Sequence, residues 1–484
     1  MASNGLTTGT RYVRTPTDYN LKQLSLITSM TGTNAIIDLM PFMVEIDLYE
    51  DIYSSTISGE VVVQDSLGLI SNYRMNGTEF LQVQLQKTSQ DNIYISRNYR
   101  VYKISKREIS DSNNYEVYVL NFCSEEFLLS EQYRISKSAK GKQISEIITD
   151  ILNTYVLAGK GNKKLYIDST NGVYDFVLPN KKLFETINWL ATYAQPYDPK
   201  AVGADMLFYE NSSGYHFHSL QTLYNAPIYQ TYKFDPKNTN SANMNGLIDI
   251  QQQLTNATDF EVIDFFDTMG AISNGTFSNK VMTIDPLLRK FNTTDGVFNY
   301  DTYGGVKLNN FPLTNGYQNR LGGTMYSLPQ NIPGLEVGAL RLAPSNNGDK
   351  KNSYVSQNPD SVANDVMIEK YLPNRVAQLA LSNYMKIKVT IPGDPNLTAG
   401  AVVNFNTYGI NPVNSKNASN RTPDPLYSGS YLVTAVRHIV KNNGYITVME
   451  MCKDSVGSKQ LTSDFNGYST NNSGAQQLIN GVQL

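Results

Sequence analysis

From Glu79 to Gln86 the chain reads Glu-Phe-Leu-Gln-Val-Gln-Leu-Gln, which places Leu81, Val83 and Leu85 on one side of an extended strand and Gln82, Gln84 and Gln86 on the other. A helix cannot present that pattern, because a period of two smears around a turn of 3.6 residues. Alternation recurs from Val44 through Tyr49, in Thr56–Asp65 beyond the acidic turn Glu50-Asp51, in Tyr99–Ile104 and in Tyr115–Asn121. Strands so closely spaced, with no long helix between them, predict a small antiparallel barrel or sandwich over residues 35–125. Closing it turns Leu81, Val83 and Leu85 inward, against the inner faces of Val44–Leu48 and Val61–Val63.

After Ser124-Glu125-Glu126 the period changes. Ile144, Ile147, Ile148, Ile151 and Leu152 lie at helical spacing, as do Leu183, Ile187, Leu190 and Ala191 with Trp189 nearby. A hairpin follows, Ala204–Glu210 and Tyr215–Leu220 around the turn Asn211-Ser212-Ser213-Gly214, completing an α/β insert over 126–232. Leu247–Leu254 and Phe260–Met269 open a second β region within 233–294. Residues 295–363 form a loop-rich excursion whose length suits an interface. A helix resuming at Asn364 and the strands Met385–Ile391, Ala401–Asn406, Gly429–Val440 and Tyr445–Cys452 close the second β region over 364–456. Residues 1–34 read as an arm ordered by a partner and 457–484 as a flexible tail. The fold class is α+β, mainly β.

Charged residues are only 17% of the chain, and Asn, Ser, Thr and 33 tyrosines take their place. Neutral polar edges and tyrosines suit broad permanent contacts. A net charge of −3 supplies no global field for nucleic acid. The cluster Lys160, Lys163, Lys164 reads as a solvated loop, and Asn76 and Asn274 open Asn-x-Ser/Thr triplets that an Asn-rich chain yields by chance. Cys123 and Cys452, each late in a strand, suggest buried thiols in a reducing cytoplasm. No apolar segment approaches the length of a membrane span, and the N-terminus has no secretory apolar region, so a soluble product without membrane insertion is expected.

Motifs for chemistry are sparse. Gly159-Lys160-Gly161 lacks the rest of a phosphate-cradling loop, and no Gly-x-Ser-x-Gly elbow occurs. His216 and His218 lie two apart on one strand face and have the geometry to share a metal, yet no further Cys or His completes a ligand set, so they read as a surface pair. His438 reads as a strand residue at an interface or barrel wall. The acid pairs Glu125/Glu126 and Asp264/Asp267 sit in no recognisable cleft. The expectation is no enzyme, no catalytic residue, no metal and no cofactor.

Two stretches carry a resemblance. Ile57-Ser58-Gly59-Glu60-Val61-Val62-Val63-Gln64-Asp65-Ser66-Leu67-Gly68, followed by Gly77-Thr78-Glu79, resembles the first barrel of central baseplate hub proteins of contractile-tailed phages. Tyr99–Ile104, Tyr115–Cys123, Ser124-Glu125-Glu126 and Ile135–Gly141 follow in that family's order. Lys388-Val389-Thr390-Ile391-Pro392-Gly393 through Gly400, then Ser430–His438, looks like the closing half of the second barrel of hub and type VI secretion spike proteins. The resemblance implies two tail-tube-like barrels per chain and a homotrimer presenting a pseudo-sixfold ring. Such a ring adapts a sixfold tail tube to a threefold spike, nucleates the tube and leaves a channel for DNA in transit. Implied partners are the spike below, tube or tube-initiator protein above, surrounding wedge proteins and a tape measure protein in the lumen; the place is the virion tail baseplate, assembled in the host cytoplasm. Gln82, Gln84 and Gln86 would then face channel or neighbour. Two alternatives are the hub of a bacterial contractile injection particle, and a carbohydrate-binding or hydrolytic tail protein using residues 295–360.

Overall fold

The computed structural model describes residues 17, 19–30, 33–87, 94–109, 114–158, 163–198, 205–235, 253–265, 267–285, 290–292, 297–300, 304–312, 335–340, 368–408 and 423–457. Its first half contains the strands β1 (Tyr19–Met30), β2 (Thr33–Asp38), β3 (Met43–Asp51), β4 (Ser58–Asp65), β5 (Phe80–Lys87), β6 (Tyr94–Ile109) and β7 (Glu116–Ser124). They lie antiparallel in the order β3-β4-β7-β6-β5-β1-β2. Leu24 and Leu26 of β1 share one core with Ile46 and Leu48 of β3, although four strands separate β1 from β3 in the sheet. Only a sheet curled on itself brings those faces together. Leu81, Val83 and Leu85 are buried in that core while Gln82 and Gln84 are not, as the alternation requires.

Two details differ from expectation. A register shift between Met43 and Glu45 turns Met43 inward and leaves Val44 39% exposed. Residues 19–30, expected in an arm, form β1, because Tyr19–Ile27 pairs with β5 and buries Leu24 and Leu26. Close packing demands glycine at Gly59 in β4: a Cβ there would lie 2.3 Å from both the Asp47 carbonyl oxygen and the Phe122 ring.

The second half contains β8 (Ile228–Phe234), β9 (Asp259–Phe265), β10 (Met385–Pro392), β11 (Val402–Thr407), β12 (Gly429–Lys441) and β13 (Gly444–Cys452). The path β9-β10-β13-β12 is antiparallel, β11 pairs with β12, and β8 lies parallel to β11. A second core gathers Ile387, Val389, Val403, Phe405, Val433 and Met449. β12 also pairs with β3, so both halves join in one 13-stranded sheet. Along one face of β12, Val436 belongs to the second core and Val440 to the first, with buried His438 between them. The two cores therefore share a strand.

The insert has its own core. Ile144, Ile147, Ile148 and Ile151 on the helix Ile144–Ile151 pack with Leu183, Ile187 and Leu190 of the helix Leu183–Ala191, over the hairpin Met206–Asn211/Gly214–Ser219. β8, expected at the end of the insert, belongs to the large sheet. Ser278–Asp285, expected in the second barrel, instead centres a separate four-stranded sheet with Lys290–Asn292, Val297–Asn299 and Leu335–Leu340, so part of the loop-rich excursion supplies its neighbours. Ala377 and Leu381 of the helix Ile368–Leu381 close that module against Phe277, Phe298 and Tyr300. Residues 247–252 and 364–367, and most of the excursion, lie outside the described residues.

Candidate assembly face and its buried anchors

Strand alternation delivers one side chain in two to the outside of the sheet, and at the β3–β12 seam and across β10 those outer side chains pair opposite charges. At the β3–β12 seam the Arg437 guanidinium donates from Nε and Nη2 to the two carboxylate oxygens of Asp47 at 3.1 and 2.8 Å. Arg437 also reaches Glu45 at 3.7 Å, which Lys441 approaches at 3.3 Å. Across β10 and its neighbours, Lys386 pairs with Glu450 at 2.9 Å and Lys388 with Glu261. Exposed pairs of this kind stabilise the fold little. Their larger effect is on the field: a wall of matched charges holds a polyanion poorly. On β5 the outer residues are uncharged, and Gln23 donates to Gln82 at 2.9 Å.

Where the insert meets the sheet, the polar groups are buried. The Glu50 carboxylate accepts from the backbone N–H of Ser212 at 2.8 Å and of Ala399 at 3.1 Å, tying β3 to the insert hairpin and to the loop before β11. Glu210 accepts from the N–H of Ile57 at 3.1 Å and from Lys163 at 2.6 Å, and Lys163 also donates to Glu126 at 2.6 Å. Lys163, read from sequence as part of a solvated loop, is thus a nearly buried bridge between two carboxylates. Asn211 donates to the Ala399 carbonyl at 3.1 Å. Burial pushes the Glu50 carboxyl up to about 7, despite its two N–H donors, and Asp205, fully buried beside the helix Ile368–Leu381, likewise to about 7. Such an arrangement fixes modules against each other; a cleft is not part of it.

The histidines are packed, not poised. His216 stacks between Tyr166 and Tyr209, at ring separations of 4.7 and 5.0 Å, and its Nε2 lies 2.9 Å from the side-chain Oδ1 of Asn211. Burial lowers its pKa to about 3. His218 sits on the same face, 5.3 Å away, with Nδ1 2.9 Å from Asp168. They are a half-buried pair, where sequence suggested a surface one. His438 lies in the sheet wall, its Nδ1 2.8 Å from the Tyr445 hydroxyl, and burial lowers its pKa to about 4. Of the acid pairs, Glu126 is held by Lys163, Glu125 lies 3.6 Å from Arg100, and Asp267 accepts from the Gly270 N–H. Cys123 and Cys452 are free and buried, and burial pushes the Cys123 thiol up to about 12. No group of three or more His, Cys, Asp or Glu among the described residues is arranged to hold a metal ion. No described helix is long and apolar enough to cross a membrane.

Sequence reading missed Glu50, Glu210, Asp205 and the buried Lys453, whose ammonium donates to the Leu426 and Ser428 carbonyls. Only their unusual places, acids and a base within or beside apolar strand runs, marked them.

No family model matches the chain. A probable baseplate hub protein of Vibrio phage KVP40 is 24% identical over 423 residues, covering 84% of this chain and 89% of that protein. Among solved structures, the tail protein from Neisseria meningitidis MC58 aligns with 90% of this chain and 97% of its own, at 9% identity and TM-score 0.47. A 43 kDa tail protein of prophage MuSo2 from Shewanella oneidensis aligns with 90% and 99%, at 8% identity and TM-score 0.45. The sequence match, which runs through both halves of the sheet and the insert, makes this chain similar over most of its length to a phage baseplate hub protein.

Proposed function

We propose that the chain is the structural, non-catalytic baseplate hub of a contractile phage tail. Three copies would form a pseudo-sixfold ring, with the tail tube or its initiator above, the central spike below, and wedge proteins around it. DNA would pass through the ring at ejection, and a tape measure protein would occupy the lumen before it. The observation that carries the reading is the near-full-length match to the KVP40 protein. Two cores on one continuous sheet support it, since each chain then offers two similar units to a ring of six. The glutamines of β5 and the paired charges of the β3–β12 seam and β10 support DNA transit, because a polyanion is retained only where unmatched cations displace its counterions. The place of the protein would be the virion baseplate, filled during assembly in the host cytoplasm.

The test is a nonsense mutation in the encoding gene, grown in a non-suppressing host. Electron microscopy of the lysate should show heads and tails unable to assemble tube on a spike-bearing baseplate, restored by the protein supplied in trans. Normal tails lacking this chain would overturn the reading.

A further inference from the structure

A groove on the insert is left unused by the hub reading. The strand Ser138–Lys142 runs beside the helix Ile144–Ile151, and between them opens a pocket of about 100 Å³. Its floor is aliphatic, from Ile135, Ala139, Ile147, Ile151 and Leu178. Tyr155 completes the wall from a π-helical turn, Leu152–Val156, into which the helix widens. Helices keep such turns at some cost in regularity, and they recur where a side chain must be re-aimed toward a site.

The rim is basic. Lys137, Lys140 and Lys142 all line the pocket, against one acid, Asp150. Lys142 is taken by Asp150. Two further acids stand nearby but do not line the pocket: Glu146 accepts from the Gln143 N–H at 3.1 Å and Asp175 from the Gly141 N–H at 2.7 Å. Lys137 and Lys140 are exposed and have no carboxylate partner among the described residues. The pocket volume fits one aliphatic side chain, and two unmatched lysines beside it favour carboxylates on either flank.

We infer that this groove docks an extended acidic segment of a partner protein, with one aliphatic side chain in the pocket and Asp or Glu beside it against Lys137 and Lys140. The inference goes beyond the hub reading and does not depend on it.

The test uses the full chain and fluorescein-labelled, amidated hexapeptides bearing a central Leu or Ile with acidic flanks, compared by anisotropy with the same peptides carrying lysine flanks. Acidic-flanked peptides should bind at least about tenfold tighter, and binding should weaken severalfold when salt rises from about 50 to 300 mM. K137E/K140E should abolish the preference with unchanged thermal melting, since both side chains are exposed. Ala139→Leu, which fills the floor, should weaken acidic peptides while leaving the lysines in place. Equal binding of both peptide sets, or acidic binding that survives K137E/K140E, overturns the inference. So does a single-stranded oligonucleotide that binds the groove more tightly than any acidic peptide, which would make it a polyanion site.

Discussion

The two halves of the sheet each bury a core, by opposite routes. β1 to β7 follow one another through residues 19–124, and every pairing among them, β1 with β5 and β4 with β7 included, closes within that stretch. In the second half, β8 must pair with β11 across more than 160 residues and β9 with β10 across a whole separate module. The first half draws nearly all of its core from its own strands, with Val440 and Tyr445 added from β12 and β13; the second depends more heavily on neighbours supplied from elsewhere, including β3, which lends its edge to β12. Local pairing makes a core self-sufficient, and distant pairing makes it dependent on the junctions that bring its strands together.

The largest expected effect tests that self-sufficiency. Val83 is 1% exposed at the centre of the first core. Val83→Asp should bury an unpaired carboxylate and cost several kcal/mol. Amides of β4 to β7 should then lose hydrogen-exchange protection while those of the insert helix Ile144–Ile151, which has a separate core, keep theirs. Simultaneous loss of protection in the insert would show that the first half is no independent unit.

A smaller effect should come from the junction. Glu50 titrates near 7 in the native protein, above its unfolded range near 4.5, so its neutral form is favoured by burial. Its contribution to stability is fully present below about pH 4.5 and is lost as pH rises through 7. Glu50→Gln cannot ionise and should gain on the native protein by about 3 kcal/mol between pH 4.5 and 7. Thermal melts of both proteins at the two pH values measure this; parallel pH profiles would contradict it.

The smallest effect belongs to the outer face. Gln84 points away from the first core, so Gln84→Lys should change stability by less than about 0.5 kcal/mol. Thermal melting checks this, and a large loss would mean that the β5 register is wrong.

This contrast also explains what sequence could disclose. Leu81, Val83 and Leu85 announced their side of the sheet because burial on one face imposes a period of two. The helix Ile144–Ile151 announced itself by its four isoleucines. The bulge that expels Val44 left no such mark, since one extra residue reverses a face without altering composition. Ser278–Asp285 carries no clean alternation, and only the partners that reach it from the excursion reveal that it belongs to another sheet. The junction was hidden for a different reason. Glu50, Lys163 and Glu210 are ordinary charged residues until distant segments bury them together, and a linear reading sees them as solvated.

The central claim, a non-catalytic ring subunit, is tested most directly by mass in solution. Multi-angle light scattering of the purified chain, alone and with tail-tube and spike proteins added, should give a particle of three times 54.1 kDa, free or within a larger complex. A monomer at micromolar concentration with both other proteins present would contradict it.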